Sequence, residues 1–526
     1  MPRMTSTTAP TFTLADSGGI DRVFPTGKLT LLAFVKEDCA TCVLSAPLID
    51  AAGAAFGRVM ETWVVAQDHE GPSVFEARIN SGMPVLDDSA LAVSFRYDLD
   101  TVPALILADG RGEKLSEFIG FGKQDWQDLF AKLTQLTGKP APAIDWDSYP
   151  ESRPGCGSKS VEPGIAERLA AEAEGSPLRA RRIEVGEGDD LFEFMFDQGL
   201  TDGLPVVPPT PERVMRMLAG TKRDAQSILG ICAPNLAPVT VEKAAINAVM
   251  AGCKPEYFPV VIAAVEAITQ EQFNIHGVLA TTHFPTPVLI VNGPIRNKIG
   301  MNGKMNVFGQ GNRANATIGR AVQLIVRNVG GGKPGEVDRC AMGHPGKYTF
   351  CFPELEERSN WEPLQVERGF TRADSTVTVF AGGAPTPIID QLSRDAKSLA
   401  TSYGLALQAV SHPKQYGYGE IVVAVTPEHV DTFAKDGWTK DQVRAQIQAA
   451  SAKAVRDLIR DDSCAEGISA ETAQRLGLDT MMPKFRDPKS IYLVVAGGEA
   501  GKWGAYLCGW VSGPMGSIMT TVKIDA

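Results

Sequence analysis

A chain of 526 residues has room for two to four domains, and its 44% apolar and 21% charged residues exclude a disordered or fibrous protein. The net charge of −11 argues against nucleic acid as a main partner, because phosphate contacts need clustered bases. No apolar run reaches the roughly 18 residues needed to span a bilayer, and the opening Met1-Pro2-Arg3-Met4 lacks the apolar core of a signal peptide. No membrane partner and a cytoplasmic location are therefore expected. The nine cysteines are scattered and odd in number, which fits reduced thiols plus one redox pair.

Residues 1 to about 10 read as a disordered lead. The first strong signal is the apolar run Leu31–Val35, followed by Cys39-Ala40-Thr41-Cys42. Such a run predicts a buried strand and places both cysteines at a strand-to-helix turn. That position suits redox work. The unpaired N–H groups and dipole of a helix N-terminus favour a thiolate, and a second thiol one turn on can resolve a mixed disulfide. Half a zinc site has the same spacing, but no second CxxC occurs. Further on, Val102-Pro103 opens an apolar strand that ends in the turn Asp109-Gly110.

On these motifs, residues from about Thr11 to Gly138 resemble a thioredoxin-fold domain of the peroxiredoxin/TlpA-like type. The resemblance rests on strand–Cys39-x-x-Cys42–helix, Val102-Pro103, the hairpin Ala104–Phe121 and a last helix near Gln124–Leu136. It implies that Cys39 is the nucleophile, that Cys42 resolves, and that a cis Pro103 lies against the disulfide and contacts substrate. Departures accompany it. Asp38 stands where many members have Trp, Ala40-Thr41 replaces Gly-Pro, and Ala33 stands where thioredoxins bury an Asp. An adjacent Asp38 should raise the Cys39 pKa. A dedicated partner, or the chain's own second domain, is expected rather than general disulfide reduction.

The stretch 139–190 reads as a linker, rich in Pro, Ser and Gly, with a short helix at Ile165–Glu174. Within it, Cys156 is flanked by glycines. It is either an internal thiol partner for Cys39 or Cys42, or a solvent-exposed bystander. Residues 191–526 form a second body, in which the helix Leu191–Gln198 should pack inward. Thr210-Pro211 opens a helix, and Val241–Ala251, Tyr257–Thr269 and Asn315–Asn328 are helical by periodicity. Pro287–Gly293, Ser375–Gly383, Glu420–Thr426 and Ile491–Gly498 read as buried strands, three of them ending in Gly-containing loops. Helices follow at Ile388–Tyr403, Val430–Lys435 and Lys440–Arg460. The fold class is α/β: a thioredoxin-like domain (1–138) plus a larger domain (191–526) whose sheet is mostly parallel or mixed and covered on both faces. Ligands should sit at the loops Asn292–Gly293, Gly382–Gly383 and Gly497–Gly498. This second body resembles an uncharacterised bacterial family that often accompanies thioredoxin-like partners, and that resemblance supplies no catalytic residues.

The densest polar stretch there holds Asn292, Arg296, Asn312, Arg313, Asn315 and Arg320. Gly309-x-Gly311-x-x-Ala314 matches a dinucleotide fingerprint by letter, but what precedes it is too polar and short for a buried strand. Either a Gly-rich loop presents N–H groups and arginines to a small anion, or the asparagines cap their own loop. Cys340, His344 and Cys351 have the right atoms for a metal at irregular spacing. His344 and His283 are acid–base candidates, with Asp338 as an orienter. Cys232, Cys253 and Cys508 read as buried inert thiols. Three functions compete. The first is a thiol-dependent redox enzyme in which Cys39 and Cys42 serve a second domain that binds a small anionic substrate. A protein thiol reductant would then recharge the pair, and the reaction would cleave a bond to sulfur or another soft atom. The second is a lyase or hydrolase working wholly in the second domain. The third is a metal or thiol-ligand carrier. The redox pair is the expected cofactor, and a homo-oligomer is left open.

Overall fold

The structure, a computed structural model, describes residues 7–68, 82–162, 165–173, 175–183, 185–186, 188–417, 419–513 and 515–525. It divides into two units, Met1–Ile183 and Glu184–Ala526.

In the first unit the apolar runs build a five-stranded sheet. Its order is Val85–Asp87, Glu61–Ala66, Thr30–Val35, Ala104–Ala108, Lys114–Ile119. The first three strands are parallel, and the last two join antiparallel. Leu31 to Val35 are completely buried, as a continuous apolar run requires of a central strand. Helix Ala40–Phe56 follows that strand directly. Helix Lys123–Thr137 closes the domain, burying Trp126, Leu129, Phe130 and Leu133 on one face. Gly138 ends it at φ 68°, a left-handed cap that glycine adopts without strain. This is a thioredoxin-like architecture.

Two expectations change here. The lead is already ordered at Ala9, whose N–H donates to Gly112 O at 2.9 Å and whose side chain joins the core; residues 1–6 lie outside the described residues. The stretch read as a linker is, as far as Val161, laid onto the domain. Ser152–Arg153 pairs with Phe121–Gly122, and Cys156–Gly157 pairs with Thr101–Val102. Ile144, Trp146, Tyr149 and Cys156 pack on the core. Proline and glycine keep this segment out of a helix, but extended backbone is what a sheet edge can pair with.

The second unit holds a mixed sheet. Its order is Cys351–Pro353, Thr286–Asn292, Thr376–Ile389, Trp503–Gly509, Ile421–Val425, Ile491–Val495, with Thr520–Lys523 also paired to Thr376–Ile389. Two neighbour pairs are parallel and the others antiparallel. Both faces are covered. Ile421, Val423 and Val425 enter one core with Leu399, Phe433 and Ile447. Val422 and Ala424 enter another with Ile290, Phe352 and Phe380. That alternation is the period of two of a strand buried on both sides.

Several boundaries differ from expectation. Gly382-Gly383 is no loop: the strand runs through it to Ile389, and its ladder with Trp503–Gly509 slips between Gly382 and Pro385. A Cβ on Gly383 would lie 2.8 Å from Cys508 Sγ, so the glycine permits close approach of the neighbouring strand. The next helix therefore starts at Ala396. Helix Lys440–Ser451 stops well before Arg460. In helix Leu191–Asp197 only Met195 is buried, and Phe192 faces out.

Candidate functional site

Cys39 occupies the N-cap of helix Ala40–Phe56. Its backbone is extended, and its sulfur accepts the Cys42 N–H at 3.2 Å. The same sulfur lies 3.5 Å from the Val102 carbonyl oxygen, next to the cis peptide Val102–Pro103. Three thiols converge here, with those of Cys42 and Cys156 placed to donate to a Cys39 thiolate. Burial by itself would raise the Cys39 thiol. The two thiol donors and the N–H groups of Cys42 and Thr41 outweigh it and hold Cys39 below the ordinary cysteine value. Asp38, expected to oppose this, is exposed and pairs with Lys36 at 3.4 Å. Cys42 moves the other way: burial, then its bond to Cys39, pushes it far up. Cys156 is raised first by its bond to Cys39, then by burial, while the Lys36 charge pulls it down. One sulfur is thus held toward its thiolate and the other two toward their thiols.

The site is covered. Cys39 and Cys42 have 0% exposure. The strap 152–157 lies over the helix N-terminus, with Thr41 Oγ1 donating to Pro154 O at 2.8 Å. Before it, Lys123 N–H donates to Glu151 O and the two side chains pair at 2.7 Å. After it, Ser158 N–H donates to Asp100 O, Ser158 Oγ accepts from Gln67 at 2.9 Å, and Lys159 pairs with Asp68 at 2.8 Å.

In the second unit, most of the polar residues expected to take an anion are engaged within the fold. Asn292 donates to Glu354 at 2.7 Å and to Glu356. Arg296 pairs with Glu356 at 3.0 Å and Glu357 at 2.7 Å, and Arg320 pairs with Asp202 at 2.7 Å. Arg313 donates to Gly252 O. Asn312 caps helix Arg313–Asn328, and Asn315 bonds both backbone groups of Asn302. For Asn292 and Arg296 the physical reason is the acidic run Glu354, Glu356 and Glu357, and for Arg320 it is Asp202, pairings that the sequence spacing did not reveal. Arg296, holding Glu357 down to about 2, still borders a cavity of about 270 Å³, together with Asn297, Lys304, Arg358 and Glu499.

His283 and His344 are brought together around Phe284, at ring distances of 5.1 and 6.5 Å. Burial lowers both imidazoles, and in His344 the Lys347 charge adds to it. Asp338 does not orient either ring. It pairs with Lys347 at 2.7 Å, and Lys347 also donates to Cys340 Sγ at 3.1 Å. Lys347 is a member of this cluster that no spacing signalled. Cys340, His344 and Cys351, weighed as weak candidates for a metal, do not come together as a set. Cys351 is buried in its strand and its thiol is pushed up by burial. Among the described residues no three His, Cys, Asp or Glu side chains are grouped to hold a metal. No helix among the described residues is long and apolar enough to cross a membrane. Cys232 and Cys253 are buried and raised by burial. Cys508 is partly exposed and also raised.

No family model and no curated protein matches the chain. Among solved structures it is similar to the thioredoxin domain of a thiol-disulfide oxidoreductase from Bacteroides vulgatus, at 20% identity over 26% of this chain and 99% of that one, with a TM-score of 0.23. It is similar to a secreted Mycobacterium tuberculosis disulfide oxidoreductase homologous to E. coli DsbE, at 20% identity over 24% and 96% of the two chains, TM-score 0.21. StoA from Bacillus subtilis gives 21% identity over 24% and 99%, TM-score 0.21. These likenesses extend over about a quarter of the chain, and the thioredoxin-like fold stands on the strand order and the Cys39 helix described above.

Proposed function

We propose that the chain is a thiol-dependent redox enzyme. Its first domain exchanges thiols and disulfides through Cys39. Its second domain takes a small anionic substrate, in which a bond to sulfur or another soft atom is cleaved reductively or with thiol assistance. One observation carries the reading: Cys39 is an N-cap thiol whose sulfur accepts the Cys42 N–H beside the cis peptide Val102–Pro103, with Cys156 paired opposite Val102. The thiolate attacks the substrate sulfur and expels the first leaving thiolate. A reserve thiol then attacks Cys39 Sγ and expels the second, leaving an internal disulfide. Two electrons pass to substrate, and a protein thiol reductant restores the pair. Lys304 in the lining of the second-domain cavity would meet the anion, while Arg296 and Arg358 there are paired with Glu356, Glu357, Asp431 and Glu499 and would have to exchange a carboxylate for it. The test is release of thiol from a small disulfide by the full chain. Cys39→Ser should reduce it to background; undiminished release would end the reading.

A second reading seats acid–base chemistry in the second domain. Its support is the pair His283 and His344, both kept neutral near pH 7 by their lowered pKa values. A His344→Gln chain that keeps disulfide exchange but loses turnover of the cellular substrate would favour it.

A further inference from the structure

The edge beside the reactive sulfur is already occupied by the chain itself. Cys156–Gly157 runs antiparallel to Thr101–Val102, with Cys156 directly opposite Val102. Val102 is the residue whose carbonyl lies 3.5 Å from Cys39 Sγ. An extended disulfide-bearing peptide adding to that edge would have to take the same place. The strap is therefore an intramolecular stand-in for such a peptide, with its own thiol at the point of attack.

We propose that Cys156 is a third redox residue of this domain, the thiol that resolves Cys39 to give a Cys39–Cys156 disulfide. The proposal rests on the thiol-exchange reading and deepens it. The Cys156 thiol is placed to donate to the Cys39 thiolate, across from the Val102 carbonyl that Cys39 Sγ meets. Its backbone is held there from both sides, by Thr41 on Pro154 and by Gln67 and Asp100 on Ser158. Cys42 is sealed within its helix, whereas Cys156 is partly exposed. Gly155 allows the approach, since a Cβ there would lie 2.6 Å from the Val102 oxygen.

The step balances with a small disulfide RSSR as oxidant. Cys39 thiolate attacks one sulfur and forms Cys39–S–S–R, releasing RS⁻. Cys156 thiolate attacks Cys39 Sγ, forms the Cys39–Cys156 bond and releases the second RS⁻. The two thiol protons go to the two RS⁻ groups, so one disulfide is reduced to two thiols as two protein thiols are oxidised.

The experiment oxidises the full-length chain with oxidised glutathione, blocks free thiols with iodoacetamide, and maps disulfides by peptide mass spectrometry. A Cys39–Cys156 crosslink is expected, and it should persist in Cys42→Ser. That variant should still release two equivalents of glutathione. Cys42→Ser/Cys156→Ser should stop at one, with glutathione left on Cys39. A chain in which Cys39 reacts but pairs solely with Cys42, while Cys42→Ser stops at one equivalent, overturns the proposal and spares thiol exchange. Cys39 still alkylated after oxidation overturns both. Cys156→Ala is the parallel variant; as the position is partly exposed it should fold, and near-wild-type circular dichroism confirms that its readout is chemical.

Discussion

At Cys39 two opposing effects meet on one atom. Desolvation disfavours a thiolate, and hydrogen bonds to the sulfur favour it; here the bonds win. Removing a donor should therefore move the balance back. Cys42→Ala deletes one thiol donor worth ~1.4 kcal/mol, which corresponds to about one pH unit. The sign is fixed by the charge bonded: losing a donor to the thiolate raises the pKa. The midpoint of the pH–rate profile for Cys39 alkylation should move up by about that amount, and an unchanged or lower midpoint would contradict the account. In the second unit the comparable residue is Lys484. Its buried ammonium donates to the carbonyls of Gln408, Val410, His412 and Gln415 at 2.7 to 3.1 Å and lies 4.6 Å from the Tyr416 ring. Burial pulls its pKa to about 8, but the bonds still tie the 408–415 turn to the chain before Phe485. Lys484→Met leaves those carbonyls short of donors and should cost ~2–4 kcal/mol in urea unfolding.

Among elements, we expect the strap 152–157 to decide access. Gly155→Ala pushes a methyl into the Val102 carbonyl, so the strap must lift or strain. We expect Cys39 alkylation to speed up at least tenfold, with a stability loss of ~1–3 kcal/mol. Alkylation at the wild-type rate would mean that something other than the strap seals the sulfur. The strap also marks where the sequence stops being readable. Leu31–Val35 was legible as a continuous apolar run, and the Cys39 helix by its place directly after that run. Ser152–Arg153 and Cys156–Gly157 are two-residue pairings, held by Thr41, Gln67 and Asp100 from distant positions, and no local pattern encodes a partner that far away. Pro154 and Gly155 looked like flexible chain for the same reason that they suit a tight edge. The strand through Gly382-Gly383 misled in the opposite direction: glycines that usually punctuate a turn here admit Cys508 of the adjacent strand. His283 and His344 were singled out by residue type alone. Their partners were not, because Asp338 was claimed by Lys347 and the arginines by Glu356, Glu357 and Asp202.

For the molecule as a whole, the division at Ile183 and Glu184 gives two bodies, each with its own sheet and core. A body with its own core is expected to fold alone. The strap and the aromatic residues before it belong to the first body, so where a fragment is cut should matter more than how long it is. Tyr149 stacks on Phe121 at 5.7 Å, and Trp146 packs at 6.2 Å from Phe130. A fragment ending at Gly138 loses both rings and the strap; one ending at Ile183 keeps them. Two half-buried aromatic side chains contribute ~2–4 kcal/mol at the usual area scale, which for a domain of this size corresponds to a melting point lower by about 5–15 °C. The shorter fragment should also expose Cys39 to alkylation at once, while the longer should match the full chain. Equal melting points would show that the segment after Gly138 adds nothing to the core, and equal alkylation would show that Cys39 is sealed by the thioredoxin-like body alone.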